Sequence, residues 1–196
     1  MLSSERSLSR SPKKQLSIQT EMVALIENGW VEHMEELKED IEGKSQTFYL
    51  PYSAVLRPNA ETTKVRPVFD ASARTGKYSL NDCMLPRPKL QADIFDLLVK
   101  FRTHNVVLLA DIKKMFWQIY IADHQRDLLR FFWRPTPNEA IKIYRWTQLP
   151  MGLKQSPYLA NAVIKLHIKK YQDKFPEAAH ALLESLFMDD FIGGAK

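Results

Sequence analysis

The stretch Leu186–Gly194, LFMDDFIGG, sets two acidic residues, Asp189 and Asp190, side by side in an otherwise apolar run. Apolar runs of this length belong to buried strands. A carboxylate buried in one is costly unless it is paired or holds a metal. Two adjacent carboxylates also repel each other, so a cation is expected beside them. A second run of the same kind lies upstream. Val106–Asp111, VVLLAD, is an apolar strand that ends in Asp111. An Asp-Asp pair alone reads more simply as a hairpin turn. The second acidic strand end shifts the balance: carboxylates on two strands that meet in one fold could hold divalent metal.

Around these two strands the chain alternates helices and hairpins. Pro176–Ser185 reads as a helix leading into the acidic run. Before it a helix runs from Pro157 to about Lys174, with Pro157 at its first position and Ser156 as its cap. The loop LPMGLKQSP, Leu149–Pro157, precedes that helix and is punctuated by Pro and Gly. Leu129–Trp133 and Ala140–Thr147 alternate as the arms of a hairpin. Pro88–Arg102 has helical periodicity and feeds the strand Val106–Asp111, read as a central one. Further upstream, Thr47–Leu56 is expected at a sheet edge, because Pro51 cannot donate to a ladder. Lys64–Asp70 returns beside it. The resulting ribbon carries Arg57, Lys64 and Arg66, and a guanidinium matches phosphate oxygens with two parallel hydrogen bonds. Solvated strand charges are the plainer reading of the same three residues. In residues 15–28 the apolar positions approximate helical spacing, and Gly29 is a helix stop. Glu32–Asp40 reads as a solvated helix or turn. Residues 1–14 read as a flexible basic tail. The order helix, ribbon, helix, strand, hairpin, helix, helix, hairpin is mixed α+β.

Composition bounds the partners. The 196 residues are 45% hydrophobic and 11% aromatic, enough for a core and against disorder. The net charge of +5 favours an anionic partner, nucleic acid first, though many soluble proteins share such a charge. One cysteine, Cys83, excludes an internal disulfide and a cysteine-based zinc cluster. The five histidines show no ligand spacing. No apolar stretch approaches the roughly 20 residues of a membrane helix, and the basic N-terminus lacks a signal-peptide core. An intracellular protein without membrane contact is expected, with cytoplasm and nucleus not separated.

Carboxylates on two strands suit phosphoryl transfer. Displacement at a triphosphate by a hydroxyl needs charge neutralised on both sides of the reacting phosphorus, which two divalent ions about 3.5–4 Å apart achieve. Magnesium takes oxygen ligands, one or two of them carboxylates. Asp111 and Asp189 suit the bridging role, with Asp190 as the third carboxylate.

LLADIKKMFWQI resembles motif A of reverse transcriptases, LPMGLKQSP resembles motif B, and FMDDF resembles the Asp-Asp box of motif C, in the same order and at similar spacing. The blocks YLPYSAVLRP, TTKVRPVFDAS and SLND, with the motif A block, look most like the BEL/Pao group of long-terminal-repeat retrotransposons. The likeness spans roughly Ile18–Ala195. It implies a right-hand polymerase whose palm is an antiparallel sheet packed on helices. Residues 15–46 would be an N-terminal helical segment, 47–105 mainly fingers and 106–196 mainly palm, the two interleaving. It implies an RNA-directed DNA polymerase that uses Mg²⁺ or Mn²⁺, deoxynucleoside triphosphates and a primed RNA or DNA template. The thumb and ribonuclease H segments would lie elsewhere in a larger polyprotein.

Residue by residue, the resemblance makes Asp111, Asp189 and Asp190 the catalytic metal ligands. Phe116 matches the aromatic that excludes a 2′-hydroxyl, the group that separates ribonucleotide from deoxyribonucleotide; ordinary core packing is its plainer reading. Backbone amides around Lys113, Lys114 and Met115 would face the triphosphate, with Arg66 and Lys64 clamping phosphates. Met151 would pack on the sugar or base, although relatives with Gln there make a hydrogen bond that Met cannot. Gly152 would allow close backbone approach to the nucleotide. Lys154, Ser156, Pro157 and Met188 would lie along template and primer. Two other readings compete. One is a non-catalytic relic that at most binds nucleic acid. The other is an RNA-dependent RNA polymerase, which Phe116 opposes.

Overall fold

The computed structural model describes residues 11–34, 47–56 and 65–195. The chain divides into two compact units, each assembled from two separate stretches. The first comprises Met1–Leu85 and Tyr120–Lys154, the second Pro86–Ile119 and Gln155–Lys196.

In the first unit, helix α1 (Pro12–Glu27) opens with Pro12 in its first turn. The helix thus begins inside the stretch 1–14 that reads as a flexible tail, because Pro's fixed φ suits a helix start and needs no amide partner; residues 1–10 lie outside the described residues. One stripe of α1 is buried, Ile18, Met22 and Leu25, while Leu16 stays exposed. The helix stops as expected at Gly29, whose φ is +68°. The amide of Gly29 donates to Ile26 O and that of Trp30 to Leu25 O, the paired closure that a left-handed glycine permits.

Strand β1 (Val31–Met34) follows directly. A solvated helix or turn was the expectation for this acidic start, but Glu32 is drawn into a ladder opposite Arg145. The rest of that expected acidic segment, residues 35–40, lies outside the described residues. The ribbon forms as β2 (Tyr52–Leu56) and β3 (Val65–Phe69), antiparallel, with Val55 opposite Arg66. Arg57 and Lys64 lie outside the described residues. A short pair, β4 (Arg74–Thr75) and β5 (Tyr78–Ser79), leads to the SLND turn. There the Ser79 amide donates to Asp82 Oδ2 and the Asp82 amide to Ser79 Oγ. Asp70, whose spacing suits an ion pair with Arg66, instead accepts the amide of Ser72.

In the second unit, helix α2 (Ile94–Phe101) is shorter than its periodicity implied. Asp93 accepts the amide of Phe95 as N-cap, so Pro88–Asp93 stays outside the helix. Strand β6 (Val106–Asp111) has the predicted bounds.

Back in the first unit, β7 (Arg130–Trp133) and β8 (Lys142–Trp146) form the predicted hairpin, and the sheet order is β1-β8-β7. Its core is aromatic. Phe131, Trp133, Tyr144 and Trp146 are all at most 5% exposed, and Phe69 meets Trp146 edge-on at 5.0 Å. Arg145 lies between two acids: its Nε is 2.6 Å from Glu32 and its Nη1 is 2.9 Å from Asp127.

The second unit is completed by α3 (Ser156–Tyr171), α4 (Pro176–Ser185), β9 (Leu186–Phe187) and β10 (Asp190–Ala195). Its sheet runs β6-β10-β9. Here the structure corrects the expectation of a buried central strand. Val106, Val107, Leu108 and Leu109 are 52–67% exposed, and β6 is an edge of this sheet. Strand β10 is the one paired on both sides. An apolar run signals a strand, but it does not say on which side the next strand lies. No helix among the described residues is long and apolar enough to cross a membrane.

Candidate active site at the acidic hairpin

The two acidic strand ends meet. β10 runs antiparallel to β6 with Asp190 directly opposite Asp111. Cross-strand partners point to one face with Cβ atoms roughly 4.5–5.5 Å apart. Asp189 lies in the two-residue turn Met188-Asp189, which joins Phe187 to its partner Asp190. The Asp189 carbonyl accepts the amide of Ile112 at 2.7 Å, so the turn is fastened to the end of β6.

Like charges directly opposite each other destabilise a sheet. Asp190 shows this cost. Partial desolvation, then the charges of Asp189 and Asp111, raise its pKa above the ordinary value of 3.8. Asp111 and Asp190 are exposed and Asp189 is half-buried. Among the described residues no ion pair reaches any of the three. Three hard oxygen donors with excess negative charge are the donor set that magnesium takes. In chemistry the residues fit the ion. In geometry they are not drawn into a cage, since no three acidic, His or Cys side chains among the described residues are arranged to hold a metal.

The backbone is strained next to these carboxylates. Lys114 (φ 55°) and Met188 (φ 56°) are the two non-glycine residues with positive φ among the described residues. Each such conformation costs roughly 1–3 kcal/mol and persists only where its surroundings enforce it. Lys114 follows Asp111 by three positions, and Met188 immediately precedes Asp189. A first loop residue with positive φ matches the right-handed twist of a two-residue hairpin.

The other predicted site residues fall in different places. In the second unit, Lys113 and Lys114 are exposed on the turn after β6, and Phe116 is half-buried in the short 3₁₀ turn Met115–Gln118. Met115 does not face outward. It is 3% exposed and its amide donates to Ile112 O, so the backbone-amide reading is corrected there. Ser156 is the first residue of α3 and buried, whereas a cap outside the helix was expected; Pro157 follows within the first turn.

In the first unit, Arg66 is half-buried on β3, and Met151 and Lys154 are exposed. Gly152 has φ +108°, and a Cβ there would meet Phe69 O at 2.3 Å. The close backbone approach is thus made to β3 of the same unit. The Lys154 amide donates to Asn81 Oδ1, tying the LPMGLKQSP loop to the SLND turn.

Two features escaped sequence reasoning. The Glu32–Arg145–Asp127 network joins residues far apart in sequence that no local spacing could pair. Asn161, 6% exposed on α3, carries no motif of its own.

Residues 61–196 match the family model "Reverse transcriptase (RNA-dependent DNA polymerase)". The chain belongs to the reverse transcriptase family. No curated protein matches it. Among solved structures, a foamy viral protease–reverse transcriptase in complex with double-stranded DNA is 19% identical, with a TM-score of 0.61. That match covers 92% of this chain and 26% of the viral one. The native protease–reverse transcriptase of prototype foamy virus is 20% identical with a TM-score of 0.62, over 95% and 20% of the two chains. At these identities the likeness is one of fold. The chain spans about a quarter or less of the viral proteins it matches.

Proposed function

We propose that this reverse transcriptase family member is the fingers and palm part of an RNA-directed DNA polymerase of the BEL/Pao retrotransposon type. It would act within the cell as a segment of a longer polyprotein that supplies thumb and ribonuclease H. The observation that carries the reading is the register of Asp190 on Asp111, with Asp189 on the strained turn beside them.

Asp111, Asp189 and Asp190 would hold Mg²⁺, or Mn²⁺ in its place, as the donor set favours and as the family generally requires. The chemistry such ions supply is activation of the primer 3′-hydroxyl and neutralisation of the triphosphate. The chain's own residues do the rest. Lys113 and Lys114 bring positive charge to the triphosphate from the turn after Asp111. Phe116, on the same turn, sets the floor under the sugar and rejects a 2′-hydroxyl. Arg66, with Lys64, adds phosphate contacts from the ribbon, and Met151 and Gly152 line the nucleotide. Lys154, Ser156, Pro157 and Met188 meet template and primer. The BEL/Pao assignment rests on YLPYSAVLRP, TTKVRPVFDAS and SLND, and the SLND turn is built as a reciprocally bonded unit.

Primer extension on an oligo-dT/poly-A duplex with Mg²⁺ or Mn²⁺ tests the proposal. The wild type should extend the primer. The Asp189→Asn, Asp190→Asn double variant should lose about a thousandfold or more, because charge stabilisation by metal is worth several kcal/mol and each 1.4 kcal/mol is tenfold. Equal extension by both would refute the metal assignment. No extension by either would favour a relic that at most binds nucleic acid.

A further inference from the structure

The strained turn before Asp189 has a side-chain contact behind it. Asn161 sits one turn into α3 and is 6% exposed, a buried polar side chain on the helix that also buries Ser156, Ala160 and Ile168. Its Nδ2 donates to Pro157 O at 2.8 Å and also lies 3.6 Å from Met188 Sδ. A thioether sulfur is a weak acceptor, but this one belongs to the residue whose backbone is left-handed. One side chain therefore touches both the first turn of α3 and the turn that presents Asp189.

We infer that Asn161 is a positioning residue. By holding the Met188 side chain against α3, it keeps the Met188-Asp189 turn in its left-handed conformation and aims Asp189 at the face that carries Asp111 and Asp190. The inference rests on the proposed metal role of those carboxylates and extends it to a residue that touches neither metal nor substrate. The geometry explains why the turn survives with methionine where glycine would be easier. Strain of this kind persists only when neighbours over-determine it. The Ile112 amide on the Asp189 carbonyl is one such neighbour, and Asn161 is a second.

The surroundings make a clean variant possible. Asn161 lines a cavity of about 300 Å³ with Ile164, Ile168, Leu182 and Leu186, and with Gln91 and Lys165, so a side chain of similar size has room there. Asn161→Leu removes the donor, and Met188→Leu removes the acceptor.

Mn²⁺ binding to the purified chain, followed by the electron paramagnetic resonance signal of free Mn²⁺, reads the effect without turnover. Each single variant should weaken Mn²⁺ binding about 3–10-fold, and the double variant should be no weaker than Asn161→Leu alone, because that substitution already removes the contact that Met188→Leu breaks. Circular dichroism checks folding. If Asn161→Leu does not fold, Met188→Leu carries the same test alone. Wild type that binds Mn²⁺ while folded single variants bind it equally well overturns the inference and leaves the metal reading intact. Fully additive losses overturn it too. Wild type that binds no Mn²⁺ refutes the metal reading and this inference with it.

Discussion

The two three-stranded sheets of this chain treat charge in opposite ways. In β1-β8-β7 every strand carries buried apolar residues, and Arg145 is held between Glu32 and Asp127. In β6-β10-β9 the edge strand is exposed throughout, and its one charged cross-strand pair is Asp111 with Asp190, two like charges. A sheet optimised for stability pairs opposite charges and covers its apolar face. The first sheet also sets two like charges opposite each other, Arg130 and Arg145, but Asp127 pairs with both and Glu32 with Arg145, so the charge is neutralised and the sheet is a scaffold. The second breaks that rule at the residues that the family reading makes catalytic, as expected where function and stability compete.

The sharpest way to break this comparison is to remove packing from each sheet in turn. Trp146→Ala, at 2% exposure, should cost about 3–5 kcal/mol in urea denaturation. Leu109→Ala, at 67% exposure, should fall within about 0.5 kcal/mol of wild type. Similar losses at the two positions would erase the distinction between scaffold and site.

A smaller effect separates paired from unpaired charge. Burial alone would raise the pKa of Asp127, but hydrogen bonds from Arg145 and Arg130 outweigh it and hold the carboxyl below 3.8. A depressed folded pKa means stability that is present above the unfolded value and is lost as pH falls through the folded one. Arg145→Met should therefore cost about 1–2 kcal/mol near neutrality, discounted because these groups are partly exposed. It should also flatten the acid limb from about pH 5 downward, through the lowered pKa of Asp127. An unchanged acid limb would show that the network contributes nothing.

Asp190 has the opposite sign. Its raised pKa means that ionisation in the fold is disfavoured, so without metal stability falls as pH rises from below 3.8 through the folded pKa and stays lower above it. Asp190→Asn should raise the metal-free Tm by a small amount, on the order of 1 °C, and, on the proposed metal role, should abolish the rise in Tm expected when Mg²⁺ is added to the wild type. A variant that is destabilised without metal would mean that Asp190 is structural after all.

Much of this was legible in the chain itself. The strand Val106–Asp111 and the helix Pro176–Ser185 have their predicted bounds, because an apolar run and a proline-led amphipathic segment are local signals. Gly29 stops its helix for the same reason: left-handed backbone is a property of the residue. The acidic residues could be nominated because carboxylates inside apolar runs are anomalous wherever they occur. Local signals failed at Glu32, which reads as solvated and lies in a ladder.

What tertiary structure alone decided is of a different kind. It set Asp190 against Asp111 rather than one residue along, made β6 an edge rather than a centre, placed Arg145 between two acids, and brought Asn161 to Met188. Each is a relation between residues far apart in sequence. Hydrophobic period and turn chemistry report what a segment can be, because they depend on the backbone of that segment. Which partner it finds depends on the shapes and charges of segments elsewhere, and no local pattern carries that information.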